Sequence, residues 1–239
     1  MDQPMEKYCR VCRMPAAEKF CQHCGEQVAV KKITASSILH EVFHYFTHLD
    51  KGFPYTLKQL IRKPGTMQKE YVEGMRSKHQ KPFSMFFICI TITALGLYWI
   101  NYMLVKYFGK DNSDELFFFQ QYMVWLQFLL LPFYSLAMFL LFRKSGYNYG
   151  EIVVLMLYTF SVLFIILVMI HLLKFIVPDL ETRYLELPAA LVYSLVTNFR
   201  FFKLQPRWKV ALKTVVACGV IFLLAALTQD NLIKFLLHK

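Results

Sequence analysis

Negative charge at depth is what this chain has least of. Its 239 residues hold 16 Asp and Glu against 27 Lys and Arg, a formal net charge of +11, and no carboxylate stands in the middle of a long apolar run. An ion-coupled transporter is expected to carry such a group, because intramembrane charges are costly and are kept for ion paths or substrate sites. Also absent are a Gly-rich phosphate loop, a nucleophile elbow and paired intramembrane aspartates, so the common signatures of hydrolytic and phosphoryl-transfer chemistry are missing. No apolar h-region interrupts residues 1–80, so the first span is expected to serve as its own uncleaved signal. Charged residues make up only 18% of the chain, against 56% hydrophobic and 17% aromatic. Soluble domains rarely combine those values, and the class implied is an all-α integral membrane protein. The cations cluster in the head and in particular inter-span loops, which reads as a topology signal and argues against a nucleic-acid partner.

Residues 9 to 24 read C-R-V-C-R-M-P-A-A-E-K-F-C-Q-H-C. Cys9, Cys12, Cys21 and Cys24 form two C-x-x-C knuckles, which supply four thiolates to one tetrahedral zinc, and Gly25 provides the tight turn that brings backbone close to sulfur. Free thiols or two disulfides are the plainer alternatives; a reducing, cytoplasmic head disfavours disulfides. A four-cysteine site is closed, so the zinc is expected to be structural, stapling a fragment too short to build its own core. His23 could replace one ligand, but the complete set of four makes that redundant.

A basic linker with Lys31 and Lys32 leads to a helix expected from Ser36 or Ser37 to Leu49. Its polar side carries His40, Glu41, His44 and His48. His40 to His44 fits H-E-x-x-H, in which two histidines one turn apart hold zinc and the glutamate activates water. No third ligand is evident. Three readings follow: a metalloprotease, a non-catalytic metal site from His40, His44 and His48 with Asp50, or a polar face whose imidazoles meet solvent or headgroups.

The stretch from Asp50 to Pro82 is divided by Pro54, Pro64-Gly65 and Pro82 into two short amphipathic helices. Met67, Tyr71 and Met75 share a face in the second. Arg62, Lys63, Arg76, Lys78 and Lys81 make a basic collar ahead of the first span, where anionic headgroups attract it by roughly 1 kcal/mol per charge.

Five apolar segments follow, at about 83–107, 116–142, 152–177, 187–202 and 210–228, each close to the ~20 residues a helix needs to cross a bilayer. The fourth is short and ends in Asn198 and Arg200, so a tilted or re-entrant helix is an alternative there. Pro132 predicts a kink in the second. The expected architecture is a five-helix transmembrane bundle (83–228) with a zinc-ribbon-like head (1–30), amphipathic juxtamembrane helices (31–82) and a short external tail (229–239). On alternate sides of that bundle Lys and Arg number 21 and 6, which puts the N-terminus in the cytoplasm and the C-terminus outside. Within the spans, Gln120, Gln121, Gln127, Asn101, Thr159 and Asn198 are neutral and read as interhelical hydrogen bonders. His171 reads as a packing histidine, with a functional role as the alternative.

Taken with the motifs His44-x-x-Thr47-His48-x-Asp50-Lys51-Gly52, Thr56-Leu57, Arg62-x-Pro64-Gly65, Tyr71-x-x-Gly74-x-Arg76 and Pro82, the chain resembles an uncharacterised bacterial membrane family in which a short zinc-ribbon head precedes a juxtamembrane block and several spans. The resemblance implies an architecture and no activity. Pro64 before a short helix into Pro82, and Gly146 to Glu151 leading into the third span, also resemble the five-span Yip-type family of membrane-trafficking proteins; a Rab-like partner does not carry over. The expected function is a non-enzymatic protein of the bacterial cytoplasmic membrane. Its zinc-stapled head would act as an interaction or assembly module with lipid, a protein partner or a second copy. The alternatives are a transporter or lipid-handling protein, and a membrane metalloenzyme using the histidine stripe.

Overall fold

The computed structural model describes residues 7–9, 11–16, 20–25, 52–109 and 122–237. His40, Glu41, His44, His48 and Asp50 lie outside the described residues, as do Gln120 and Gln121. The head is a two-stranded antiparallel ribbon, β1 (Lys7–Tyr8) and β2 (Pro15–Ala16), paired Lys7 with Ala16 and Tyr8 with Pro15.

The helical body begins with α1 (Phe53–Arg62) and α2 (Thr66–Val72). Pro54 sits in the first turn of α1, where a missing N–H removes no helical bond, and Pro64-Gly65 separates the two helices. Five longer helices follow: α3 (Pro82–Phe108), α4 (Met123–Leu141), α5 (Tyr149–Leu172), α6 (Arg183–Phe201) and α7 (Arg207–Leu237). Four of them are long and apolar enough to cross a membrane: α3, α4, α5 with its 3-10 extension to Phe175, and α7 as far as Thr228. That marks the chain as an integral membrane protein by length and composition. The segment expected as the fourth span is helical, but Arg183, Glu186, Asn198 and Arg200 leave α6 less apolar than the other four. The helix of α7 runs on to Leu237, past the end of its apolar part.

The helix ends identify two poles. At one, Phe142 after α4 stacks on Phe202 after α6 with ring centroids 4.1 Å apart, and Tyr147 before α5 lies 4.6 Å from Phe201. At the other, Trp99 of α3 lies 5.9 Å from Phe175, and His171 of α5 is 3.6 Å from Glu186 of α6. The helices alternate between these poles, and α6 runs between the same two ends as its neighbours. Two-thirds (67%) of the apolar window of α5 is buried in the protein against 17% for α7, so α5 is the hub and α7 the rim.

Local chemistry explains the details of the bundle. Asn148 caps α5: its Oδ1 accepts from the Glu151 N–H at 2.9 Å while Glu151 Oε2 accepts from the Asn148 N–H at 2.8 Å. This reciprocal capping box accounts for the one carboxylate at a span entrance. Thr93, Thr159 and Ser161 donate to the carbonyls of Cys89, Leu155 and Leu157 one turn back, which satisfies buried hydroxyls where no water can. Pro132 lies inside α4, which continues through it, and Tyr149 donates to the Pro132 carbonyl at 3.1 Å.

Candidate functional site

The head brings all four predicted cysteines together. In the first knuckle the Cys9 N–H donates to Met14 O at 2.9 Å and the Arg13 N–H to Cys9 O at 2.9 Å, a turn closed by Arg13 at φ 60°. In the second, the Gly25 N–H donates to Cys21 O at 2.8 Å, with Gly25 at φ 73°. The knuckles repeat one device: the Cys9 sulfur accepts from the N–H groups of Cys12 and Val11, and the Cys21 sulfur from those of Cys24 and His23.

Those backbone donors, Cys12 N–H having the largest effect, pull the Cys9 thiol down to about 6, and the Cys24 and His23 N–H groups likewise lower Cys21. Cys12 moves the other way. The Met14 N–H pulls it down, but burial and the neighbouring Cys21 thiol together outweigh that and leave it raised.

The sulfurs of Cys9 and Cys24 are 3.4 Å apart, as are those of Cys12 and Cys21, and all four lie within 4.8 Å of one another. A disulfide needs about 2.05 Å, and all four cysteines are free. Tetrahedral thiolates about 2.3 Å from a shared ion stand about 3.8 Å apart, inside the observed range. The cluster therefore fits a single metal ion held by four sulfurs, with no position left for substrate.

The second feature was not foreseen. The basic juxtamembrane helices, expected as a collar on the membrane surface, are docked into the pole of the bundle where α4, α6 and the start of α5 meet. Leu60, Met67, Tyr71 and Val72 are buried there, and Arg62, Lys63, Lys78 and Lys81 stay exposed with Arg76 half-buried. Tyr71 meets Tyr158 of α5 edge to face at 5.4 Å. Arg76 lies over the Tyr71 ring and donates to the Tyr71 carbonyl at 3.3 Å. The return strand is pinned at Gln80, whose N–H donates to Thr56 Oγ1 at 2.8 Å and whose carbonyl accepts from Tyr158. Tyr193 of α6 donates to Leu60 O at 3.3 Å.

Gly65 is where the hairpin touches α6. Its φ is +77°, and a Cβ there would lie 2.1 Å from the Thr197 carbonyl oxygen and 2.8 Å from Arg200 Cβ. Among the described residues on which the family resemblance rests, Gly52 lies against Gln80, Thr56 holds it, Gly65 admits α6, and Tyr71 and Arg76 seat α2.

The third feature is a cavity of about 260 Å³ among α4, α5, α6 and α7. Its wall is mostly apolar, with Gln127, Thr159, Ser194 and Asn198 along it and Arg183 and Glu186 at the far end. Among the polar groups read from sequence, Gln127, Thr159 and Asn198 line this cavity, and His171 lies nearby on α5. Asn198 Nδ2 donates to Thr214 Oγ1 at 3.0 Å, tying α6 to α7. His171 is buried 3.1 Å from Leu167 O and 3.6 Å from Glu186, a carboxylate that sequence reading passed over because it lies outside any apolar run.

Residues 50–94 match the model of a family described as a protein of unknown function (DUF3667). That match covers the docked hairpin and the first half of α3. No curated protein and no solved structure matches the chain.

Proposed function

We propose that this chain is a non-enzymatic protein of the bacterial cytoplasmic membrane, with its N-terminus inside and C-terminus outside, whose zinc-stapled head is an interaction or assembly module at the membrane surface. The observation that carries this reading is the closed four-sulfur cluster. Such a site has no open coordination position for catalysis and supplies folding energy to a ribbon with almost no core. Zinc is the ion that tetrahedral thiolates favour in a protein without redox chemistry. A fifth crossing by α6 is part of the proposal: it runs between the same poles as the four apolar helices, and the excess of Lys and Arg at one pole then obeys the positive-inside pattern. Membrane lipid and a protein partner, or a second copy of the chain, are its expected contacts.

The test is metal content and association measured together on purified full-length protein. One zinc per chain is expected, lost in Cys12→Ser and kept in His44→Ala, with in-membrane crosslinking to self or partner lost along with the zinc. Unchanged crosslinking in zinc-free Cys12→Ser would remove the assembly role. Two metals per chain, one of them lost in His44→Ala, would favour a metal-dependent enzyme.

The cavity among α4–α7 favours a second reading, a lipid-handling protein. Its apolar wall suits an acyl chain, with polar side chains spaced along it. Lipid scrambling in proteoliposomes above that of protein-free vesicles would support this reading, and background rates would remove it.

A further inference from the structure

The α6–α7 connection holds a second cavity, about 430 Å³, that the metal head and the intramembrane groove do not involve. Arg200, Lys203 and Arg207 rim it, and Phe199, Phe202 and Val210 are among the apolar residues beneath them. Phe202 is 3% and Val210 1% exposed, so that part of the lining is packed into the protein. The three cations are exposed, and among the described residues none has an ion-pair partner.

Two further groups point the same way. Gln205 also lines the cavity, and Lys213 Nζ donates to its Oε1 at 3.2 Å, so the amide N–H₂ is not used in that bond. The 31-residue helix α7 starts at Arg207, so its unsatisfied first-turn N–H groups and positive dipole end face the same region. The Gly65 contact places Arg200 directly against the hairpin turn that carries Arg62 and Lys63, so the positive potential extends beyond the cavity itself.

Cations near a helix C-terminus are ordinarily a solvated complement to its dipole. Here they converge instead on a concave surface with an apolar floor and an oriented amide. We propose that this cavity binds a phosphate-bearing anion, with the headgroup of an anionic phospholipid as the ligand and its glycerol end resting on Phe199 and Phe202. Basic pockets between transmembrane helices suit such headgroups, and planar guanidinium groups pair with phosphate oxygens in bidentate fashion.

Native mass spectrometry of the detergent-solubilised full chain tests this, using phosphatidylglycerol and phosphatidylcholine with identical chains as probes. Wild type is expected to retain phosphatidylglycerol over phosphatidylcholine by about tenfold, and Arg200→Gln/Lys203→Gln/Arg207→Gln to lose that preference. Gln205→Glu, which removes no cation but puts a carboxylate on the floor, should reduce it as well. A control that removes three cations elsewhere, Lys78→Gln/Arg143→Gln/Lys144→Gln, should keep it. All these positions are exposed or half-exposed, so folding is not at stake. Inorganic phosphate that abolishes the preference in wild type, where chloride at matched ionic strength does not, would support the site with a soluble ligand as its source. An unchanged preference in the cavity triple variant, or an equal loss in the control, would overturn the proposal.

Discussion

Replacing Gly65 by alanine separates a turn that merely needs glycine from a contact that does. The backbone at φ 77° and ψ −38° is a region L residues avoid, at about 1–3 kcal/mol. The added Cβ would also meet the Thr197 carbonyl oxygen at 2.1 Å, and that oxygen belongs to the α6 backbone and cannot rotate away. Overpacking of this kind adds about 1–3 kcal/mol, so the two together reach about 2–6 kcal/mol. Four buried side chains, Leu60, Met67, Tyr71 and Val72, hold the hairpin in place. At roughly 1.5–3 kcal/mol each their burial sets a ceiling near 6–12 kcal/mol, lower where lipid would replace protein contact. The strain takes up much of that ceiling and is confined to the contact of the hairpin with α6, so the hairpin opens more often while the bundle stays folded. Hydrogen exchange in detergent or nanodiscs should show amides of α1 and α2 losing about thirtyfold or more in protection, with α5 unaffected. Gly109→Ala is the control: φ is +62° and nothing lies within 4 Å of its Cβ position, so it should cost about 1 kcal/mol at the end of α3 alone. Equal protection of the hairpin in Gly65→Ala and wild type would refute the close-approach argument.

Three further outcomes are expected. Thr56→Val leaves the Gln80 N–H without its acceptor and should destabilise the hairpin by about 1–3 kcal/mol, and Tyr158→Phe by about 1 kcal/mol; because both bond the same residue, the double variant should lose less than the sum, read by denaturant titration of hairpin exchange. Asn198→Leu, which breaks the α6–α7 bond to Thr214, should loosen that pair by about 0.6–2 kcal/mol, seen as a lower thermal midpoint in detergent. The head should show a one-sided pH dependence. The Cys9 thiol is lowered to about 6, so the stabilisation its thiolate gives is present at high pH and lost as pH falls through that value. Bound zinc lowers the thiols further, so metal release monitored by a chromophoric chelator should begin only below about pH 6; release that grows as pH rises from neutral would contradict a thiolate site.

What could be read from sequence was what depends on near neighbours. The C-x-x-C spacing placed four sulfurs in one cluster, Pro54, Pro64-Gly65 and Pro82 marked the hairpin boundaries, and the apolar runs fell within a few residues of α3, α5 and α7. The docking of the hairpin was not legible. Amphipathicity says that one face of α1 and α2 is apolar, and it does not say whether lipid headgroups or another helix covers that face. The answer lies in Tyr158 and Tyr193, 78 residues from Gln80 and 133 from Leu60 respectively. Gly65 could be seen as a turn residue, but its closeness to Thr197 could not. Asn148 and Glu151 stand three apart in the stretch leading into the third span, but their reciprocal capping was not read from it. Glu186 escaped because a search for carboxylates inside apolar runs does not find one that reaches His171 from the first turn of a neighbouring helix.

Several of the buried polar groups lie at the pole where the hairpin docks: Thr56, Gln68, Gln80, Thr197, Asn198 and Thr214 are all at most 5% exposed. In a bilayer, apolar faces gain little by leaving lipid for protein, so hydrophobic burial alone cannot decide whether a short amphipathic hairpin lies on the surface or enters the bundle. Directional contacts can. The bonds that Tyr158 donates to the Gln80 carbonyl and Tyr193 to the Leu60 carbonyl, and the close approach of Gly65 to α6, join the hairpin to the bundle and exist only in the docked state. The hairpin is thereby fixed to the helical bundle, and the turn that follows Arg62 and Lys63 is held against Arg200. A surface collar would present those charges to headgroups on a mobile arm. A docked one presents them at a fixed place beside the α6–α7 cavity, which is the arrangement recognition of one headgroup requires and diffuse membrane attraction does not.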